Sequence, residues 1–100
     1  MTATESTWWL YLLDCDGRLY TGISTDPQRR YQEHLSGGAK GARFTRAATR
    51  IALLWRVPIG DRSLALRAEH RLKQLPRARK LALIALNPDT DLLLQELALA

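Results

Sequence analysis

Two tyrosines in this sequence stand where a tight hairpin would bring them close together. The run Trp8–Cys15 is apolar and aromatic, and the Asp16-Gly17 pair behind it favours a tight corner, after which the strand-like run Arg18–Ser24 begins. This hairpin places Tyr11 near Tyr20. A tyrosine serves as a general base only if nearby cations or a metal lower its pKa from about 10. Tyrosines are also common in strands that have no catalytic role.

An arginine and a histidine follow on a predicted helix. Asp26 or the threonine before it can cap a helix, and Pro27 suits the first helical position, so we expect a helix over residues 27–35. Arg30 and His34 are four residues apart and therefore share one helix face. An arginine can hold a phosphate and stabilise its developing charge, and a histidine can orient or deprotonate water near neutral pH.

The same helix also allows a purely structural interpretation. Tyr31 and Leu35 lie on the face next to Arg30 and are expected to dock on the sheet. The remaining face would then be solvated, with Arg29 and Glu33 forming an ordinary surface ion pair. Gly37 and Gly38 could end the helix with a left-handed cap.

Glu69 is a carboxylate within a segment rich in cations. One interpretation is a helical ion pair with Lys73, which has the favourable four-residue spacing. The other is a magnesium site with one protein carboxylate, completed by water and a substrate phosphate.

Further strands and helices must position these residues. Residues 51–59 predict a third strand, with Pro58 marking either its end or an edge position, and Asp61 or Ser63 can cap a second helix. An apolar stripe marks that helix, and Pro76 should end it. The next helix runs from Arg77 to about Leu86, with three residues expected inward and two outward. The apolar tail either docks as a short helix or is frayed. The stripe comprises Ala65, Ala68, Leu72 and Leu75; the inward residues are Leu81, Ile84 and Ala85; the outward ones are Arg79 and Lys80; the tail is residues 92–100.

The composition agrees with one small α+β domain. A chain of 100 residues suits a single hydrophobic core, and the hydrophobic fraction of 46% is ordinary for a globular protein. Cys15 is the lone cysteine, which excludes an internal disulfide and a cysteine-cluster zinc site and favours a reducing, cytoplasmic setting. No apolar run approaches the ~20 residues that span a bilayer, so no membrane association is expected. A net charge of +5 makes a polyanion such as nucleic acid a reasonable partner.

The motifs together resemble the GIY-YIG nucleases, in the short single-domain bacterial branch. Trp9-Leu10-Tyr11 stands at the first family triplet and Tyr20-Thr21-Gly22 at the second. The resemblance spans roughly residues 8–86, and its later matches occur in the same order: Ile23-Ser24-Thr25-Asp26, Arg29-Arg30, His34, Gly37-Gly38, Arg43-Phe44-Thr45, Ala68-Glu69, Leu72-Lys73, Leu75, Arg77 and Lys80. Several separated motifs in one order make the resemblance specific.

The resemblance implies a small three-stranded antiparallel sheet flanked by helices, with five side chains converging on one surface. In that family a tyrosine helps to activate the attacking water, the arginine and histidine contact the phosphate or assist proton transfer, and the glutamate binds one divalent metal. The corresponding residues are Tyr11, Tyr20, Arg30 and His34, with Glu69 as the ligand of Mg²⁺ or Mn²⁺. Whether Tyr11 or Tyr20 is the base stays open.

The sequence also departs from the family pattern. Trp9 replaces the glycine of the first triplet, Leu10 occupies its middle position, and Thr21 replaces isoleucine in the second. Many members carry a further polar residue after the glutamate helix, and Asn87 is a weak candidate for it. These departures concern rate and substrate choice more than the fold.

The leading hypothesis is a magnesium-dependent DNA endonuclease that is structure-selective and linked to repair or recombination. Lys40, Arg43, Arg46 and Lys73 would contact DNA without reading sequence. The alternative is a catalytically weak nucleic-acid-binding module on the same scaffold. A third hypothesis is a protein-interaction domain that uses the apolar tail, and a protein partner could also target the nuclease. The oligomeric state and the choice between DNA and RNA stay open.

Overall fold

The three predicted strands form one antiparallel sheet in a computed structural model that describes residues 7–36 and 50–99. Strand β1 (Trp8–Cys15) lies in the centre, between β2 (Arg18–Ser24) and β3 (Ile51–Gly60). The predicted hairpin is present: Asp16 and Gly17 have φ values of 55° and 87°, and the positive φ at both corner residues matches the right-handed twist of the strands. The α+β fold class is confirmed.

The central strand carries different cores on its two faces because successive side chains point in opposite directions. Leu10 and Leu12 face helices α2 (Arg62–Gln74), α3 (Arg77–Leu86) and α4 (Thr90–Glu96), and this side holds the main core. Tyr11, Leu13 and Cys15 face the other way, towards helix α1 (Pro27–Ser36), and form a second core. The sheet thus has a mainly aliphatic core on one face and a smaller core that includes tyrosines on the other.

Helix α2 follows the sequence prediction closely. Of the two candidate caps, Asp61 is the one used, since its Oδ1 accepts a hydrogen bond of 2.8 Å from the backbone N–H of Leu64. The predicted stripe of Ala65, Ala68 and Leu72 is buried, and the helix ends before Pro76.

The prediction for helix α3 was wrong about two residues. Leu81 is 40% exposed and Ala85 is exposed, whereas Leu83 is the buried residue and Ile84 is half-buried. The second half of this helix is apolar on every side, so its periodicity does not distinguish the inner face. Packing against the neighbouring helices selects that face.

The apolar tail docks on the sheet as helix α4. Leu93 and Leu97 are buried in the main core, and Thr90 Oγ1 donates a hydrogen bond of 2.7 Å to the carbonyl of Pro58 on β3. The Arg71 guanidinium donates to the Leu97 carbonyl at 3.0 Å. Both inward leucines of the tail therefore belong to the domain's own core. None of the helices in the described ranges has the length and apolar character to cross a membrane.

Substitution of Leu93 tests this packing. We expect Leu93→Ala to lower the free energy of unfolding by about 2–5 kcal/mol, because it leaves a cavity in the main core. Leu81→Ala is the matched control and should cost well under half as much, since Leu81 is largely exposed. Urea denaturation measures both, and equal losses would contradict the assignment of the inner faces.

Candidate active site

Tyr11 and Tyr20 lie on the same face of the sheet. Their positions are diagonal across the β1–β2 pair, where Tyr11 is opposite Gly22 and Leu13 is opposite Tyr20. The two ring centroids are 6.4 Å apart. Tyr11 is 1% exposed and Tyr20 is half-buried, so the first phenol belongs to the protein interior and the second to its margin.

Gly22 leaves the space that the Tyr11 ring occupies. A Cβ atom on Gly22 would lie 2.5 Å from Tyr11 Cζ, which is far inside van der Waals contact. A glycine opposite Tyr11 is therefore a packing requirement. This accounts physically for the glycine that the second motif keeps.

Helix α1 places His34 against both phenols. His34 is fully buried, its Nε2 lies 3.2 Å from Tyr11 Oη, and its ring meets the Tyr20 ring edge-on at a centroid distance of 5.3 Å. Tyr31 contributes from the same inner side and donates a hydrogen bond of 3.1 Å to the Ile51 carbonyl. These contacts form an aromatic cluster that joins β1, β2 and α1.

The expectation that Leu35 docks on the sheet was wrong. Leu35 is 45% exposed, and His34 takes the inward position instead. Apolar character alone favoured Leu35, but the hydrogen bond to Tyr11 and the contact with Tyr20 favour the imidazole. The interpretation of the His34 face as solvated is therefore wrong.

Arg30 is held between a carboxylate and the two phenols. Its Nη1 donates to Glu33 Oε1 at 2.9 Å, and its positive charge acts to lower the pKa of Tyr11 and of Tyr20. The expected pair of Arg29 with Glu33 is also present, at 3.4 Å. Sequence reasoning placed Glu33 only in that surface pair. Its three-residue spacing from Arg30 was the signal for the second contact.

Glu69 approaches the same phenols from helix α2. Its side chain is 20% exposed, and its Oε2 lies 3.6 Å from Lys73 Nζ. Its charge raises the pKa of Tyr11 and of Tyr20, so the carboxylate is close enough to act on both rings. The helical ion pair and the proximity to the tyrosines thus occur together.

The other residues expected at the site have different positions. Lys73 lies beside Glu69 with its side chain 54% exposed. Asn87 is the left-handed C-cap of helix α3, and its N–H donates to the Ile84 carbonyl at 2.9 Å. The predicted residues Gly37, Gly38, Lys40, Arg43, Phe44, Thr45 and Arg46 lie outside the described ranges.

Burial sets the protonation states at this site. It raises the pKa of Tyr11, to which the neighbouring Tyr20 and Glu69 add, while Arg30 opposes the rise. Burial likewise raises the pKa of Tyr20. Burial lowers the pKa of His34, and the Arg30 charge lowers it further. At neutral pH the phenols are therefore protonated and the imidazole is neutral, so His34 Nε2 can accept the hydrogen of Tyr11 Oη.

Within residues 7–36 and 50–99, no three or more His, Cys, Asp or Glu side chains form a metal-binding group. Magnesium often binds through one or two carboxylates with water and substrate phosphates supplying the other ligands. A partly exposed carboxylate such as Glu69 fits that type of site.

The chain matches a family model described as the GIY-YIG catalytic domain over residues 7–82, and it belongs to this nuclease-type family. It is 53% identical over 79 residues to the UPF0213 protein YhbQ of Escherichia coli strain K12, a match that covers 78% of this chain and 77% of that protein. The YhbQ protein of Escherichia coli O8 strain IAI1 matches to the same extent. The solution NMR structure of the UPF0213 protein BH0048 from Bacillus halodurans is similar, with a TM-score of 0.51 and 37% identity over 80% of this chain and 84% of that chain.

Substitution of Gly22 tests the close approach to Tyr11. We expect Gly22→Ala to lower the free energy of unfolding by about 1–3 kcal/mol, because the new methyl group displaces the phenol. In a Tyr11→Ala background the same substitution should cost much less. Thermal unfolding of the wild type, the two single variants and the double variant measures the coupling between positions 11 and 22. If the stability losses of the two single variants simply add in the double variant, the packing role of Gly22 is contradicted.

The buried imidazole predicts a pH dependence of stability. Because the folded-state pKa of His34 is lowered, the unfolded chain binds more protons below its ordinary value of about 6.5. The contribution of the neutral His34 to the free energy of unfolding is complete above that pH and is lost as the pH falls towards the folded-state pKa. Urea midpoints measured from about pH 7.5 to 5 should therefore fall, and His34→Gln should flatten the profile. The exposed His70 provides the control variant, His70→Gln. If His70→Gln flattened the pH profile of stability and His34→Gln did not, the pH dependence could not be attributed to His34.

Proposed function

We propose that this protein is a divalent-metal-dependent DNA endonuclease that hydrolyses phosphodiester bonds. The main support is the convergence of Arg30 and Glu69 on the same two phenols, beside a buried neutral histidine. A cation, a carboxylate and a proton-transfer pair are the components that metal-assisted phosphodiester hydrolysis requires.

Glu69 is the residue that would hold Mg²⁺ or Mn²⁺. Its carboxylate is partly exposed and its neighbour Lys73 is on the solvent side, so the oxygens can be reached from outside. A bound divalent cation supplies Lewis-acid stabilisation of the charge that develops on the phosphate. The carboxylate charge would in turn be balanced by that cation rather than by Lys73 alone.

Arg30 would bind the phosphate that is cut. Its guanidinium is half-buried, and Glu33 and the phenols restrict its position, which lowers the entropy lost when it binds an anion. A fixed arginine can donate two parallel hydrogen bonds to phosphate oxygens. It would thereby stabilise the additional negative charge of the transition state.

Tyr11 and His34 would transfer the proton of the attacking water. Neutral His34 Nε2 lies 3.2 Å from Tyr11 Oη, so the imidazole can take the phenol proton while the phenol takes one from water. Tyr20 lies edge-on to His34 and is the more exposed phenol, so it would orient the imidazole and the water. These roles assign the base to Tyr11, whose hydroxyl oxygen lies 3.2 Å from His34 Nε2.

DNA is the proposed substrate because the chain is basic and small. With a net charge of +5, it can bind phosphates without reading sequence, and Lys73 lies next to the site. Lys40, Arg43 and Arg46 would add contacts of the same kind. We further propose structure-selective action in repair or recombination, in a reducing cytoplasm that suits the single buried thiol of Cys15.

A cleavage assay tests this function. Labelled single-stranded, flapped and branched DNA should be cut with Mg²⁺ or Mn²⁺ and left intact with EDTA. Arg30→Ala and Glu69→Ala should each reduce the rate by about 100-fold or more, the effect expected when a group that stabilises transition-state charge is lost.

Matched variants distinguish catalysis from general charge effects. Arg29→Ala removes the neighbouring arginine, whose side chain is 63% exposed and which shares Glu33, and Glu96→Gln alters an exposed carboxylate on α4. Both should retain activity within a few-fold. Salt-sensitive DNA binding without cleavage in any divalent metal would instead favour the binding-module alternative.

A further inference from the structure

The sheet face that carries Tyr11 continues beyond the second core, towards the start of β1. Helix α1 packs over the second core through Tyr31 and His34. Towards the start of β1 the same face presents Trp9, which is half-buried, and Arg56 and Pro58 on the adjacent strand β3, of which Arg56 is exposed. We call these three residues the open face.

The open face contains an aromatic ring paired with a guanidinium. Arg56 Cζ lies 5.7 Å from the centroid of the Trp9 ring, which is cation–π geometry. In the β1–β3 register Arg56 is directly opposite Tyr11, and Trp9 precedes Tyr11 by two residues on one face. Residues so spaced in a strand are about 6.5–7 Å apart. The pair is thus adjacent to the candidate active site.

A second tryptophan–arginine pair, on the other face of the sheet, provides a comparison for Trp9. Arg62 Cζ lies 5.5 Å from the Trp8 ring centroid, and Trp8 points to the opposite side of β1, where it packs against the main core. Trp8 therefore has a structural role. Trp9 belongs to neither core among the described residues, although it is a large apolar ring beside the site.

We propose that Trp9 and Arg56 form a stacking site for one unpaired nucleobase of DNA, next to the phosphate that is cut. This inference rests on the proposed nuclease function. An indole and a guanidinium both stack on the π-face of a base, and the Arg56 charge also suits a polyanion. A base inside a duplex has both faces covered by its neighbours, so this site selects substrates with an unpaired nucleotide beside the cut.

The test is a coupling experiment between protein variants and abasic substrates. Fluorescence anisotropy in EDTA measures binding of a single-stranded oligonucleotide and of versions with one abasic nucleotide at each position in turn. For the wild type, one position should weaken binding by about 5- to 100-fold, the loss expected for one stacked base. Trp9→Leu and Arg56→Met should each bind the complete oligonucleotide more weakly than the wild type does. Their affinity should change little when the nucleotide at that position is made abasic.

Two controls make the result decisive. Arg62→Met removes the same charge from the equivalent pair on the other face, so it should keep the full abasic effect. Trp9→Phe keeps an aromatic ring and should recover most of the affinity. The proposal is overturned if the abasic nucleotide weakens binding by the same factor in Trp9→Leu or Arg56→Met as in the wild type. It is also overturned if Arg62→Met loses the abasic effect as Arg56→Met does. It is also overturned if Arg56→Met, with an unchanged melting temperature, binds as the wild type does.

The same proteins separate this proposal from the nuclease function. Binding in EDTA does not depend on turnover, so coupling without cleavage in any divalent metal would retain the stacking site and reject the nuclease. Cleavage without coupling would retain the nuclease and reject the stacking site. When the oligonucleotides are annealed to a full complement, the abasic effect should disappear, because in the complete oligonucleotide the base at that position is paired and cannot stack on the protein.

Discussion

The hydrogen bond between Tyr11 and His34 is the contact on which the organisation of this site depends. It joins the central strand to helix α1 inside the protein, where an unpaired phenol or imidazole would carry a desolvation cost. Gly22 gives the ring its space, and Tyr20 covers the imidazole from the side. Because these groups constrain one another, helix α1 has little freedom to rotate. Arg30, one turn before His34, is consequently aimed at the same phenols.

Two opposing influences set the electrostatic state of this cluster. Burial keeps the phenols protonated and the imidazole neutral, and Glu69 adds to the effect on the phenols. Arg30 acts in the opposite direction on the phenols, yet burial outweighs it. The Tyr11–His34 pair is therefore uncharged in the resting protein, and passing a proton from the phenol to the imidazole would create a phenolate and an imidazolium. Additional positive charge near Glu69 would move the balance towards a phenolate.

The elements of the fold were largely predictable because their signals are local. The Asp16-Gly17 corner, the Asp61 cap and the apolar stripe of helix α2 each depend on residues close in sequence, and each occurs as expected. The predictions failed where a choice depended on distant partners. Leu81 and Leu35 were expected inside because they are apolar, but they are exposed, and Leu83 and His34 take the inner positions.

For the candidate site, residue types and chain order led to the prediction of Tyr11, Tyr20, Arg30, His34 and Glu69, since both are properties of the sequence. The distances between these residues could not be predicted, because they arise from contacts between β1, β2 and the helices. The role of Glu33 beside Arg30 and the pairing of Arg56 with Trp9 likewise became visible only in three dimensions. Strand register and helix rotation depend on packing between residues that are distant in sequence, and this packing cannot be inferred from short stretches of the sequence.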